Sequence, residues 1–187
     1  MGLIKPYPPV KLISAITITD LALWPACQEK LEKLYSPVDR AMEWYEFHHT
    51  DYYLPEMGDN LKKRMVSFRD LIPAEQLPDI KLAANELEQG FSRAGKRQIN
   101  IDPGYVCVAK LVLATTKDFS HRIYLDSGIF ADLHLKYQKG HFRPQEWTYP
   151  DYREAEVLRF FEEVREAYLA QLVVSTTNCT NFTNGDK

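Results

Sequence analysis

Hydrophobic and polar positions divide this chain into alternating strands and amphipathic helices. Val10 to Thr19 is dense in β-branched residues and reads as a buried first strand, closed by Asp20. Trp24, Cys27, Leu31 and Leu34 recur at steps of three and four, the stripe of a helix, with Pro25 suited to its first turn. Ser36-Pro37 stops it. Met42 to His48 alternates imperfectly as a second strand, and Arg64 to Leu71 reads as a third. A second helix begins at Pro78 or Asp79, burying Ile80, Ala83, Ala84, Leu87, Phe91 and Ala94, with Gly95 as its terminal glycine. Gln98 to Ile101 forms a short strand closed by an Asp102-Pro103-Gly104 turn.

The run Tyr105 to Thr115 fits either a strand packed on both faces or a buried helix; its valines and the preceding Pro-Gly favour a strand. His121–Leu125 and Ile129–Tyr137 flank Asp126-Ser127-Gly128, the pattern of a β-hairpin. Gln138 to Tyr149 reads as a connection. Pro150-Asp151 then introduces a last helix to about Gln171, with Val157, Phe161, Val164, Tyr168 and Leu172 on one face. The predicted architecture is α+β: a mixed, mostly antiparallel sheet with about three helices. Its core is a ferredoxin-like split βαβ pattern, extended by a C-terminal hairpin and helix. Residues 1–174 form one globular domain, and the polar stretch 175–187 is expected to be a disordered tail.

Composition narrows the class. The chain has 187 residues, 45% hydrophobic and 26% charged, which is ordinary for a globular protein. No apolar run is long enough to span a membrane, and no signal peptide is apparent, so a cytoplasmic location is expected. Three scattered cysteines fit neither a disulfide framework nor a zinc site. Net charge is −3, but residues 91–150 carry nine Lys and Arg against five Asp and Glu. Such a basic middle attracts anions; basic residues also blunt sheet edges, and both readings stand.

Candidate chemistry concentrates in two loops. The first, Thr50 to Asn60, holds Asp51, Tyr53 and Glu56. The second holds Thr115, Thr116, Lys117, Asp118, Ser120, His121 and Arg122. Lys117 and Arg122 are suited to hold an anion, with the hydroxyls donating hydrogen bonds and Tyr53 and Tyr149 adding contacts. Asp51, Glu56 and His121 have the protonation chemistry of general acids and bases. Tyr137, Lys139, His141, Arg143 and Trp147 mix aromatic and basic groups as nucleic-acid surfaces do. His48-His49 with Asp51 and Glu56 does not make a metal site, because adjacent strand residues face opposite ways. No phosphate-binding P-loop or dinucleotide fingerprint is present, and Thr116-Lys117-Asp118 misses the guanine-recognition spacing by one residue.

Four strings, TDYYLPEMG (50–58), NIDPGY (100–105), KLVLATTKDFSHRIYL (110–125) and EWTYPDY (146–152), together resemble the domain of unknown function 4416 family of prokaryotic proteins. The resemblance spans about residues 9–172 and implies a single-domain cytoplasmic protein. It brings no catalytic residues, and any cofactor is left unknown. The GTP-binding label of some members is not matched by a P-loop here. The expectation is therefore a binding protein for a phosphorylated ligand, a small molecule such as a nucleotide or an RNA, held by loop 115–122. The alternatives are an enzyme using both loops and a protein–protein assembly module.

Overall fold

The computed structural model describes residues 2–3, 5–48 and 54–182, with side chains up to residue 174. The elements in chain order are β1 (Val10–Ile18), α1 (Trp24–Leu34), β2 (Val38–Ala41), β3 (Tyr45–Glu46), α2 (Leu54–Met57) and β4 (Lys62–Ile72). There follow α3 (Leu77–Gly90), β5 (Ile99–Val106), β6 (Lys110–Thr115), β7 (Arg122–Asp126), β8 (Ile129–Gln138), β9 (His141–Pro144) and α4 (Ala155–Phe182). The strands form one sheet in the order β2-β4-β1-β5-β6-β8-β7, with β3 on β4 and β9 on β8.

The protein is α+β, as expected. Every strand pairing among the described residues is antiparallel, so the sheet is not mixed. Among the described residues there are four α-helices rather than about three, because α2 adds a single turn within the first loaded loop. At nine strands the sheet exceeds a simple split βαβ core.

Alternation along β1 explains the layers. Leu12, Ile16 and Ile18 pack with Cys27 and Leu31 of α1 and Ile80 and Ala84 of α3. Ile13 and Ala15 face the other way, onto Val157, Phe161 and Val164 of α4. The sheet is thus covered on both faces, and β1 is buried at every position.

Several local expectations are corrected. Only Tyr45 and Glu46 of the 42–48 run pair as a strand, while Val38–Ala41 forms an unexpected one on the outer side of β4. The second helix ends at Gly90; Ala94 and Gly95 instead make a tight turn with φ of 51° and 74°. The stretch 105–115 is neither one strand nor a helix. Its first residues finish β5 and, after a turn at Cys107–Ala109, the rest forms β6. The 138–149 connection contains β9, joined to β8 by Lys139-Gly140, both at positive φ as a two-residue hairpin turn requires. The predicted 121–137 hairpin is present, turning at Ser127-Gly128 with φ of 51° and 76°.

Asp102-Pro103-Gly104 is the correction that matters most. These residues lie inside β5 and pair with Ala15, Ser14 and Ile13 of β1. On its other side β5 pairs with β6 only from Gly104 onward, at Gly104–Leu113, Tyr105–Val112 and Val106–Leu111. A side chain at residue 104 would run into the Val112 carbonyl, so glycine permits this close approach. Pro103 has no N–H to continue the ladder. On the Asp102 side of Gly104 the two strands part, and Ala114 and Thr115 pair only with β8.

Candidate functional site

The parting of β5 and β6 opens a pocket of about 520 Å³. Asn100 and Asp102 of β5 form one side, and Thr115 to Phe119, leaving the end of β6, form the opposite side. Lys81, Asn85 and Glu88 of α3, Lys63 of β4 and the Tyr149–Asp151 segment complete the lining. The position of the pocket follows from the strand splay, and its walls carry charges that protein interiors seldom hold.

The floor is built from paired charges. The Lys63 ammonium, 3% exposed, donates to Asp151 Oδ2 at 2.7 Å, and Asp151 is itself 1% exposed. Tyr45 donates to the same carboxylate oxygen at 3.3 Å. The Lys63 ammonium also lies 4.5 Å from the centre of the Phe47 ring. Lys81 donates to the Ile101 carbonyl at 2.8 Å and to Asp102 Oδ1 at 3.2 Å, while Asn100 Nδ2 donates to Asp102 Oδ2 at 2.8 Å. Burial pushes the Asp102 carboxyl up, but the Lys81 and Lys63 ammonium groups and the Asn100 hydrogen bond outweigh it and hold it below the ordinary range. Glu88 accepts from the Ile101 N–H at 2.7 Å and from Arg97 Nη1 at 3.0 Å. There burial dominates these donors, and the Glu88 carboxyl titrates above its ordinary value.

The outer wall is the 115–122 loop. Thr115 Oγ1 accepts from the Lys117 N–H at 3.2 Å, curling the chain so that Thr116, Lys117 and Asp118 stand exposed at the mouth. Arg122 anchors the loop: Nη1 donates to the Lys117 carbonyl at 2.9 Å, Nε to Asp132 Oδ2 at 3.0 Å, and Nη2 to the Tyr149 hydroxyl at 3.3 Å. Behind it, the Tyr149 N–H donates to His134 Nε2 at 3.1 Å, so the His134 proton sits on Nδ1, facing Asp132 Oδ1 at 3.3 Å. Burial lowers the His134 pKa against the pull of Asp132. Burial alone would raise the Asp132 carboxyl, yet His134 and Arg122 hold it low.

Of the residues singled out by sequence, Thr115, Thr116, Lys117, Asp118, Arg122 and Tyr149 all line this pocket. Ser120 is exposed on the loop and does not line it. His121 does not line it either: its ring stacks on Trp147 at 4.6 Å between centroids, with Nε2 3.5 Å from Asp132. Glu56 reaches the rim indirectly, accepting from Nε of the pocket residue Arg97 at 2.7 Å. Asp51 and Tyr53 lie outside the described residues. The aromatic and basic run 137–147 is engaged within the fold. Trp147 donates to the Leu133 carbonyl, His141 meets Glu162, and Arg165 sits 3.5 Å from the centre of the Tyr137 ring.

Sequence reasoning missed Lys63, Lys81, Asn85, Glu88, Arg97 and Asp151, and assigned Asp102 to a turn. Strand phase offered one signal, since Lys63 is two residues from the inward-facing Met65. Helix phase offered another: Lys81 and Glu88 lie four and eleven residues after Leu77, on its face of the helix, and are buried with it. Among the described residues, no group of three or more His, Cys, Asp or Glu is placed to hold a metal ion, and no helix is long and apolar enough to cross a membrane. Cys27 and Cys107 are buried and unbridged, and burial pushes the Cys27 thiol up to about 12.

No curated protein and no solved structure matches the chain significantly. The model of one family, described as a domain of unknown function (DUF4416), matches residues 8–168 and takes in every described residue of the pocket, and the chain belongs to that family.

Proposed function

We propose that this protein binds a phosphorylated small molecule in the β5–β6 pocket, with the 115–122 loop receiving the phosphate. One observation carries the reading. The strand splay delivers Thr115, Thr116, Lys117 and Arg122 to the same cavity that two buried ammonium groups, Lys63 and Lys81, enter from the opposite side. Hydroxyls, a guanidinium and ammonium groups are the donors a phosphate needs. A volume of about 520 Å³ falls within the range of small-molecule sites, which favours a nucleotide-sized ligand over an RNA strand. The exposed Phe119 and Tyr149 rings at the mouth offer flat surfaces to a ring-bearing ligand. The order β2-β4-β1-β5, with α1 and α3 on one face, supports a ferredoxin-like reading of the first half, to which β6–β9 add the outer wall.

Calorimetric titration with a panel of mononucleotides and sugar phosphates tests this, inorganic phosphate serving as competitor. At low salt at least one phosphorylated compound binds, is displaced by inorganic phosphate and weakens with added salt. Lys117→Ala combined with Arg122→Ala removes about 2 kcal/mol or more of binding, roughly 30-fold in affinity. Undiminished affinity in that folded double variant, or no phosphorylated ligand at all, overturns the proposal.

A further inference from the structure

Beneath the outer wall, the inner end of the pocket is unusual in being charge-balanced yet incompletely hydrogen-bonded. Lys63 and Lys81 are matched by Asp151 and Asp102. An ammonium has three donors. Among the described residues Lys63 gives one to a protein acceptor and Lys81 gives two. Directly opposite Lys63 on β1 stands Thr17, whose hydroxyl is buried with no hydrogen-bond partner. The Tyr152 hydroxyl is likewise buried and unpartnered, and the Tyr152 ring lies 5.3 Å from the Lys63 ammonium. Buried polar groups are satisfied in nearly all folded proteins, so the ammonium donors left over on the cavity wall imply an occupant that supplies acceptors.

The balance of charge decides what kind of occupant. A second anion here would confront Asp102 and Asp151 as well as the lysines, whereas a neutral group able both to donate and to accept satisfies every partner. Hydroxyls are such groups: each donates to a carboxylate and accepts from an ammonium. We infer that the inner end of the pocket, formed by Lys63, Lys81, Asp102 and Asp151, is a subsite for the hydroxyl-bearing carbon skeleton of a sugar-type phosphate. This rests on the phosphate-binding reading of the outer loop and deepens it. The ligand enters skeleton first, its hydroxyls on the two Asp–Lys pairs and its phosphate at Thr115, Thr116, Lys117 and Arg122.

Titration of the full chain with inorganic phosphate, propyl phosphate and ribose 5-phosphate separates the two levels. Ribose 5-phosphate and propyl phosphate share the phosphate ester but differ in hydroxyls. The expected result is at least tenfold tighter binding of ribose 5-phosphate than of propyl phosphate. In Asp102→Asn that ratio falls toward one; because a ratio is read, any general weakening of the variant cancels. If both esters bind equally, the hydroxyl subsite is wrong while the phosphate reading stands. If the ratio holds in Asp102→Asn, the assignment to this floor is wrong. If neither ester nor inorganic phosphate binds, the outer-loop reading fails and the subsite with it. Should Asp102→Asn not fold, equal wild-type affinities for the two esters still overturn the subsite, and Lys81→Met, read by the same ratio, tests its place on this floor.

Discussion

Lys11 and Lys63 point to the same face of the sheet, toward the layer covered by α4, and both are buried against a carboxylate. Lys11 uses its three donors on Asp39, the Arg69 carbonyl and Gln171. Asp39 is in turn bonded by Ser67 at 2.6 Å, so that cluster is closed. Among the described residues Lys63 has Asp151 as its one hydrogen-bond acceptor, and it sits on a cavity wall beside unpartnered hydroxyls. A buried ion pair therefore says little by itself about function, since desolvation and attraction roughly cancel in either place. The difference lies in whether the surrounding protein completes the hydrogen bonds. Where it does, the pair locks β1, β2, β4 and α4 together; where it does not, the pair faces the cavity with donors unused.

The sharpest way to break this comparison is Lys63→Met. It strands Asp151 in the interior, and a loss of about 3–5 kcal/mol in urea unfolding is expected, together with loss of ligand binding. Pairing it with Asp151→Leu removes the stranded charge and restores most of the stability without restoring binding. A double variant that regained ligand affinity would remove Lys63 from the site. Lys11→Met is expected to cost less, about 2 kcal/mol, because Asp39 keeps 26% of its side-chain surface exposed and can turn to water. Its folded fraction binds ligand as the wild type does; weakened binding per folded molecule would erase the distinction between the two lysines.

A pH titration of stability tests the neutral His134 behind the loop. Its folded pKa lies below the unfolded value of about 6.5, so the unfolded chain takes up more protons between those two values. Stability is therefore full above about pH 6.5 and falls as the pH drops toward the folded pKa. Asp132, also held low, adds a further loss in stronger acid, below about pH 3.9. Urea midpoints measured between pH 7 and 5 decrease in the wild type and flatten in His134→Gln. The smallest effect belongs to His121→Ala. It uncovers the Trp147 ring at a cost of about 1 kcal/mol, read in the melting temperature, and changes phosphate affinity less than twofold.

The outer wall was legible from residue types alone. Two threonines, a lysine and an arginine between two apolar runs mark an exposed loop rich in hydrogen-bond donors, and the structure places all four on the pocket. His121 shares that loop but turns its ring onto Trp147, a distinction set by a contact between residues 26 positions apart. The floor was not legible. Asp102-Pro103-Gly104 is equally good as a turn string and as a strand with a break in its ladder, and only the pairing of Ser14 with Pro103 and of Gly104 with Leu113 decides between them.

By itself the sequence determined the α+β class, most of the strands and helices, and the chemistry of one loop. These follow from periodicity and from residue types read over short windows. The tertiary structure alone decided that β5 and β6 separate on the Asp102 side of Gly104 and that Lys63, Lys81, Asp102 and Asp151 meet in the opening. Those residues come from β4, α3, β5 and the segment before α4, and no local pattern encodes the long-range pairing that sets them side by side.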